Sequence, residues 1–414
     1  MNVSKRTASA IIAGVASVAL AAGVAMPSQA ASEPLKVGAI LPLTGGLSFL
    51  GDPMVAGFWA AVNEVNANGG VLGAKVEVTG VKNEHDGSNL AISTQSAKEQ
   101  IAAGAQVILG AASSGRTYNI IKDLTGAGIV QISPSNTDIG LSTYADNGYY
   151  FRTAPSDLLQ GRVLGNKILS DGKRNVAIIY QQSSYGKGLM GTAKDALTKG
   201  GAKVKTYAFT ENETNFTSTV NSVKAQKADA VIVISYDEFK KVAPALKSKG
   251  FLGKQVYLVD GNMGNYSKDS FASWLTGAQG TQAGADPTAA FSAKLGAAFE
   301  AKEGKELPIS LYGAEAYDAI IIAALAAEEA KSTKAVDIKD HMVSVTKGGT
   351  KATTYKAALA LIKAGKDVDY DGQSGPIEFD ANGNPSKAYM GVYSYNSKGT
   401  NDLKKAYLTA VPAK

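Results

Sequence analysis

Residues 35–41 read LKVGAIL, and residues 52–66 read DPMVAGFWAAVNEVN before the chain reaches Asn68-Gly69-Gly70. The first stretch is apolar except for one Lys, the composition of a strand covered on both faces in a parallel sheet. Asp52-Pro53 opens a helix, because Asp caps the free N–H groups and Pro fits the first turn. Asn-Gly-Gly then closes it. A buried strand followed by such a helix is the first half of a βαβ unit, so the fold turns on whether the pattern repeats.

It repeats twice over. Further strands are expected at 75–81, 106–109 and 128–132, with helices at 89–103 and 115–124. A second series follows the junction at 151–155. Helices at 156–169, 187–199, 215–226 and 238–249 alternate there with strands at 175–180, 203–209, 230–235 and 255–259. Strands alternating with helices of this length predict parallel sheets covered on both faces. The fold class is therefore α/β, with two doubly wound parallel-sheet lobes. Helices at 287–302, 313–330 and 355–364 come next. Strands at 376–379 and 388–395 flank Asp380-Ala381-Asn382-Gly383-Asn384, and its Asn-Gly is a turn signal. This terminal hairpin after a helical stretch predicts that the chain crosses between lobes more than once.

The chain has 414 residues and a formal charge of +6, two units of which belong to Lys5 and Arg6. Those two cations precede an apolar run, Ala8 to Met26, broken by Pro27 and closed by Ser28-Gln29-Ala30. The pattern is a secretory signal cleaved after Ala30. It leaves about 384 residues, enough for two domains of roughly 100–200 each. The basic residues are scattered among acids, so no nucleic-acid stripe is formed. There is no cysteine, which excludes thiol catalysis, a Cys-based zinc site and a lipid anchor on Cys. His85 and His341, the only two histidines, stand far apart. No metal and no cofactor is expected. The product is read as exported, soluble, periplasmic or extracellular, and not lipid-anchored.

Motifs for catalysis fail in context. Gly186-Lys187-Gly188-Leu189-Met190-Gly191 matches a dinucleotide fingerprint, with Glu211 downstream. That fingerprint needs the strand to run straight into the first Gly, whereas residues 181–185 are expected to intervene. Ser113 and Ser114 do not sit in a nucleophile elbow. Asp380, Asn382 and Asn384 resemble the start of a calcium loop, but position twelve is Gly391 where a Glu is needed. An enzyme is not expected.

The positive signals lie after strands, where open α/β sheets bind ligands. The first lobe offers Ala112-Ser113-Ser114-Gly115 and Ser133-Pro134-Ser135-Asn136-Thr137. Hydroxyls and N–H groups at helix starts suit a carboxylate, although such residues also serve as plain helix caps. The second lobe offers Ser183-Ser184-Tyr185-Gly186, Ser235-Tyr236-Asp237 and Val259-Asp260-Gly261-Asn262. Asp260 can counter an ammonium. The tyrosines can cover an apolar stem and donate a hydroxyl, or simply pack in the core. Together the two lobes suit a zwitterion enclosed between them.

At these loops the sequence resembles the periplasmic leucine/isoleucine/valine-binding proteins, amino-acid and amide receptors of ABC transporters. The resemblance runs through residues 36–45 (KVGAILPLTG), Gly51-Asp52, residues 68–73 (NGGVLG), Ser133-Pro134-Ser135, Phe151-Arg152-Thr153, Gln160-Gly161, Tyr185-Gly186-Lys187-Gly188 and Gly375-Pro376-Ile377. It implies a type I periplasmic binding protein fold with a three-crossover hinge. Lobe 1 would take 31–153 with 282–379, and lobe 2 would take 154–281 with 380–414. By position it implies that Ser114 and Thr137 bind an α-carboxylate, beside Ser113 and helped by backbone groups at Ala112 and Ser135. Asp260 would meet the α-ammonium, Tyr185 and Tyr236 would form the aromatic wall, and Tyr312 would border the ligand side chain. The resemblance further implies a monomer that delivers an amino acid, branched-chain or similar, to transporter permease subunits. A sensor of the same fold, or a receptor for urea, an amide or an aromatic acid, is the alternative. Three features depart from the pattern. Arg116 stands where a small residue is usual, Leu50 replaces an aromatic at the pocket edge, and residues 335–370 exceed the usual length.

Overall fold

In the computed structural model, residues 33–211, 213–284 and 287–412 are described. The expected signal segment, 1–30, lies outside them. The elements in chain order are β1 (Lys36–Leu41), α1 (Gly51–Ala67), β2 (Glu77–Asn83), α2 (Leu90–Ala102), β3 (Val107–Gly110), α3 (Ser114–Gly126), β4 (Val130–Ser133) and β5 (Tyr150–Arg152). Then come α4 (Asp157–Ser170), β6 (Asn175–Gln181), α5 (Ser184–Lys199), β7 (Lys203–Phe209), α6 (Thr217–Ala225), β8 (Ala230–Ile234), α7 (Phe239–Ser248), β9 (Val256–Val259) and β10 (Gln279–Ala283). The last third holds α8 (Ala289–Glu303), α9 (Gly313–Ala330), α10 (Ala335–His341), β11 (Thr350–Ala352), α11 (Tyr355–Lys363), β12 (Val368–Tyr370), β13 (Lys387–Tyr395) and β14 (Asn401–Ala410).

The opening strand does what its composition predicts. Val37, Ala39, Ile40 and Leu41 are wholly buried, and β1 lies between β2 and β3 in an all-parallel sheet of order β2-β1-β3-β4-β5. The second sheet runs β14-β13-β10-β9-β8-β6-β7. Its strands β10, β9, β8, β6 and β7 are parallel, and β13 and β14 add to it antiparallel. The chain passes from the first sheet to the second after β5, returns after β10 to lay α8 and α9 against α1, and crosses again after β12 to form β13. These three crossovers give the type I periplasmic binding protein architecture expected from the resemblance.

α9 is buried on nearly every side, from Gly313 to Glu328, as befits a helix that is apolar all round. α1 approaches it through Gly57, where an added Cβ would stand 2.2 Å from the Gly313 carbonyl oxygen and 2.9 Å from the Ala316 Cβ. Gly57→Ala is expected to cost about 1–3 kcal/mol by overpacking, seen as a lower urea midpoint with an unchanged slope. An unchanged midpoint would contradict this packing.

Several expectations need correcting. The strand expected at 376–379 is absent. Only single bridges form there, Asp371 with Pro376 and Phe379 with Pro385, because proline has no N–H to extend a ladder. The 380–384 turn is instead tied up by the Asp380 carboxylate, which accepts from the N–H groups of Asn382 (2.8 Å) and Asn384 (3.0 Å). The terminal hairpin is β13 with β14, closed around Gly399 at φ +76°. β14 was not expected, and neither were the short β5 and β10. α5 starts at Ser184 rather than at 187, since the Ser183 side chain caps it by accepting from the Gly186 N–H. Residues 335–370 form α10, β11, α11 and β12, which pack on the outer side of α9. No helix among the described residues is long and apolar enough to cross a membrane.

Candidate ligand site between the lobes

The ends of β3 and β4 deliver the two hydroxyl loops of the first lobe to one place, but not with the roles expected for each residue. The Ala112 N–H donates to the carboxyl of Glu84, which also accepts from the Ser113 N–H at 3.0 Å. The Ala112 carbonyl accepts from Ser135 Oγ (3.0 Å) and Asn136 Nδ2 (2.7 Å). The backbone of Ala112 is thus spent on holding the loops, which corrects its expected part in binding a carboxylate; the Ser135 hydroxyl is spent in the same way, while its backbone N–H makes only a long contact, 3.4 Å, to Ser133 Oγ. Two hydroxyls are left to offer. Ser114 Oγ makes only a long contact, 3.4 Å, from the Asp138 N–H. Thr137 Oγ1 is buried and faces only the Asp157 carboxyl. α3 begins just there, and its N-cap Ser113 makes no side-chain capping bond, so the first-turn N–H groups face the same space.

On the other side, Asp260 follows β9 and is 3 % exposed. Its Oδ1 accepts from the Tyr185 hydroxyl (2.8 Å) and Gln160 Nε2 (3.0 Å), and its Oδ2 accepts from the Tyr312 hydroxyl (2.7 Å). Burial pushes its carboxyl pKa up, and the hydroxyls of Tyr312 and Tyr185 and the amide of Gln160 pull it back. Tyr312 heads α9 from a left-handed conformation, φ +62°, so its bond to Asp260 joins the two lobes. Tyr185 stacks on Tyr236, with ring centroids 5.4 Å apart and planes at 11°. Ser113 turns its hydroxyl to Tyr236 and Asp86. A second bond across the cleft runs from the Asp237 N–H to the Gly46 carbonyl, 3.1 Å. Leu50 packs into the apolar core ahead of α1.

Sequence reasoning missed Asp157. It opens α4 and is wholly buried, with the Thr137 hydroxyl directed at its carboxyl and no other hydrogen-bond partner among the described residues. Burial and then the charge of Asp260 push its pKa well above the ordinary carboxylate range. Its first-turn position let it pass for a routine helix acid. The bare Gly188 on α5 was a signal, because an added Cβ would stand 3.0 Å from Asp138 Oδ2 and 3.4 Å from Asp157 Oδ2. Gln160 Oε1 and Ser184 Oγ are likewise buried without partners. Glu84 was missed too. Its burial overrides two backbone N–H bonds and raises its pKa to about 8.

Arg116, on the first turn of α3, is 4 % exposed and therefore does not face solvent. It stands 3.7 Å from Asp86 and 3.7 Å from Glu211 across the cleft. A cavity of about 320 Å³ opens beside it, lined among others by Asp86, Glu211, Asp237 and Glu238. A larger cavity of about 740 Å³ is a groove along α4 and α5 and touches none of the residues around Asp260. Among the described residues, no group of three or more His, Cys, Asp or Glu is placed to hold a metal ion.

A family model described as a periplasmic binding protein matches residues 34–400. The chain is 27 % identical over 327 residues to a protein named Leu/Ile/Val-binding protein homolog 3 from Brucella melitensis, covering 77 % of this chain and 85 % of that one. The fold is shared with a leucine-binding protein of Thermotoga maritima, at TM-score 0.74 and 21 % identity over 90 % of this chain and 98 % of that one. It is also shared with the branched-chain amino acid transporter substrate-binding protein of Streptococcus pneumoniae in complex with isoleucine, at TM-score 0.71 and 23 % identity over 91 % and 100 %.

Proposed function

The chain belongs to the periplasmic binding protein family, and on that premise we propose that it captures one amino acid between its lobes and hands it to the permease subunits of an ABC importer. The observation that carries this reading is the set of buried polar atoms short of hydrogen-bond partners where the two lobes meet: Thr137 Oγ1 from the first, facing the Asp157 carboxyl of the second, and Gln160 Oε1 and Ser184 Oγ from the second. Burying a polar group without a partner costs about 1–3 kcal/mol, so a ligand that satisfies several of them stabilises the closed form. The α-carboxylate takes the first turn of α3 with Ser114 and Thr137, where N–H groups and the helix dipole favour an anion. The α-ammonium takes Asp157 and Asp260. The chain hinges at its three crossovers, between β5 and α4, between β10 and α8, and just before β13, and the Tyr312–Asp260 and Asp237–Gly46 bonds form on closure.

This arrangement sets the sign of a pH effect. Asp157 and Asp260 have raised pKa values, so they tend to hold protons until a cation arrives. An ammonium favours their ionised forms, so binding releases protons, and affinity rises with pH above the ordinary carboxylate range. Binding heats measured in two buffers of different ionisation enthalpy should reveal this release, whereas identical heats would contradict it. The reading as a whole is tested by denaturing protein straight from purification and analysing the released small molecules by mass spectrometry. An amino acid present in stoichiometric amount supports it. A stoichiometric ligand lacking an amine or a carboxylate would sink it.

A further inference from the structure

The guanidinium of Arg116 is buried, yet its Nε and Nη1 have no hydrogen-bond partner among the described residues. The nearest carboxylates, Asp86 on its own lobe and Glu211 on the other, both stand 3.7 Å away, beyond hydrogen-bond reach. Ser113 lies one turn before Arg116 on the same helix face, and its hydroxyl faces Asp86 and Tyr236. Tyr236 in turn stacks on Tyr185, the ring that holds Asp260. Arg116 and Asp260 therefore stand at two ends of one buried chain of contacts that runs through Ser113, Tyr236 and Tyr185. If the α-amino and α-carboxylate groups sit between Asp157, Asp260, Ser114 and Thr137, the ligand's side chain points toward Arg116.

Resting on that reading, we infer that the protein selects an amino acid with a carboxamide side chain, asparagine or glutamine, through Arg116 flanked by Asp86 and Glu211. A carboxamide presents one acceptor oxygen and two N–H donors. The oxygen accepts from Arg116 Nη1, one of its unpartnered donors, and the NH₂ donates to Asp86 and Glu211. A branched aliphatic side chain leaves all these buried groups unpaired, which a polar subsite penalises heavily. A side-chain carboxylate meets the cation but also two carboxylates of its own sign.

Calorimetry with L-glutamine, L-asparagine, L-glutamate and L-leucine tests this. A carboxamide amino acid should bind at least about tenfold more tightly than leucine, and Arg116→Met should erase that preference by weakening the carboxamide alone, as expected for losing a hydrogen bond to a charged group. Arg116→Lys keeps the charge but not the fork of donors, and it should also lose the preference. If Arg116→Met fails to fold, the lysine variant carries the test. Tighter binding of leucine or glutamate overturns the inference and leaves the amino-acid reading standing. An equal loss for every ligand also overturns it, by placing Arg116 on the α-carboxylate. Binding of none of the four overturns it and leaves the amino-acid reading standing until the other standard amino acids have also failed.

Discussion

Replacing Asp260 by Ala is expected to weaken amino-acid binding by at least about 2 kcal/mol, roughly thirtyfold, as when one partner of a buried charge pair is truncated. The carboxyl is wholly enclosed and carries the donors of Tyr185, Gln160 and Tyr312. Removing it takes away the counter-charge for an ammonium and leaves those donors facing a void. It also removes the Tyr312 bond that ties the lobes. Tyr312→Phe separates the two effects, because it deletes the bond between lobes and keeps the carboxyl. If Asp260 acts on the ligand's charge, Tyr312→Phe loses much less than Asp260→Ala. Calorimetric dissociation constants decide the matter. An unchanged constant for Asp260→Ala would refute its role, and equal losses in both variants would reassign it to closure.

The ligand-free protein should lose stability between pH 5 and pH 8. Burial raises the pKa of Glu84 to about 8 and that of Glu315 to about 8. Burial also raises Asp86 to about 6. For a raised acid the folded state holds a proton that the unfolded chain has released. Its stabilising effect is complete below the unfolded value of 4.5 and is lost as pH rises toward about 8. At 1.36 kcal/mol per pH unit, Glu84 alone can cost up to about 4 kcal/mol over that span. Groups with lowered values, such as Asp171 and Glu378, act in the opposite direction but below the ordinary carboxylate range, outside this window. Glu84→Gln is neutral throughout, so it should flatten the decline. Urea midpoints of parent and variant at pH 5 and pH 8 check this. The same pH dependence in both would show that Glu84 is ionised in the fold.

The alternation of strand and helix was legible because it rests on local composition. LKVGAIL at 35–41 led straight to β1, and Asp52-Pro53 located α1, although the helix begins at Gly51 and Asp52 sits inside its first turn without capping it. β10 was not legible, since Gln279–Ala283 reads QGTQA and becomes a strand only through its neighbours β9 and β13. β14 was hidden for the same reason. Its alternation is broken by Lys404-Lys405, and it exists by pairing with β13.

The site divides along the same line. Loops at strand ends pointed to Ser114, Thr137, Tyr185, Tyr236 and Asp260, the family resemblance added Tyr312, and the fold brings the last four into one connected group. Ala112 looked equally suitable, but its N–H and carbonyl are taken by Glu84, Ser135 and Asn136. That competition is tertiary, because Glu84 arrives from the end of another strand. Asp157 was concealed by an ordinary helix-start signature, and its meaning came only from Thr137, Asp138 and Asp260 closing around it.

Calorimetric titration of the chain from Ala31 onward with the standard L-amino acids tests the central claim most directly. The account predicts saturable one-to-one binding of at least one of them, with the heat abolished or sharply reduced in Asp260→Ala. A folded protein that gives no binding heat with any amino acid, at any pH between 5 and 8, would contradict it.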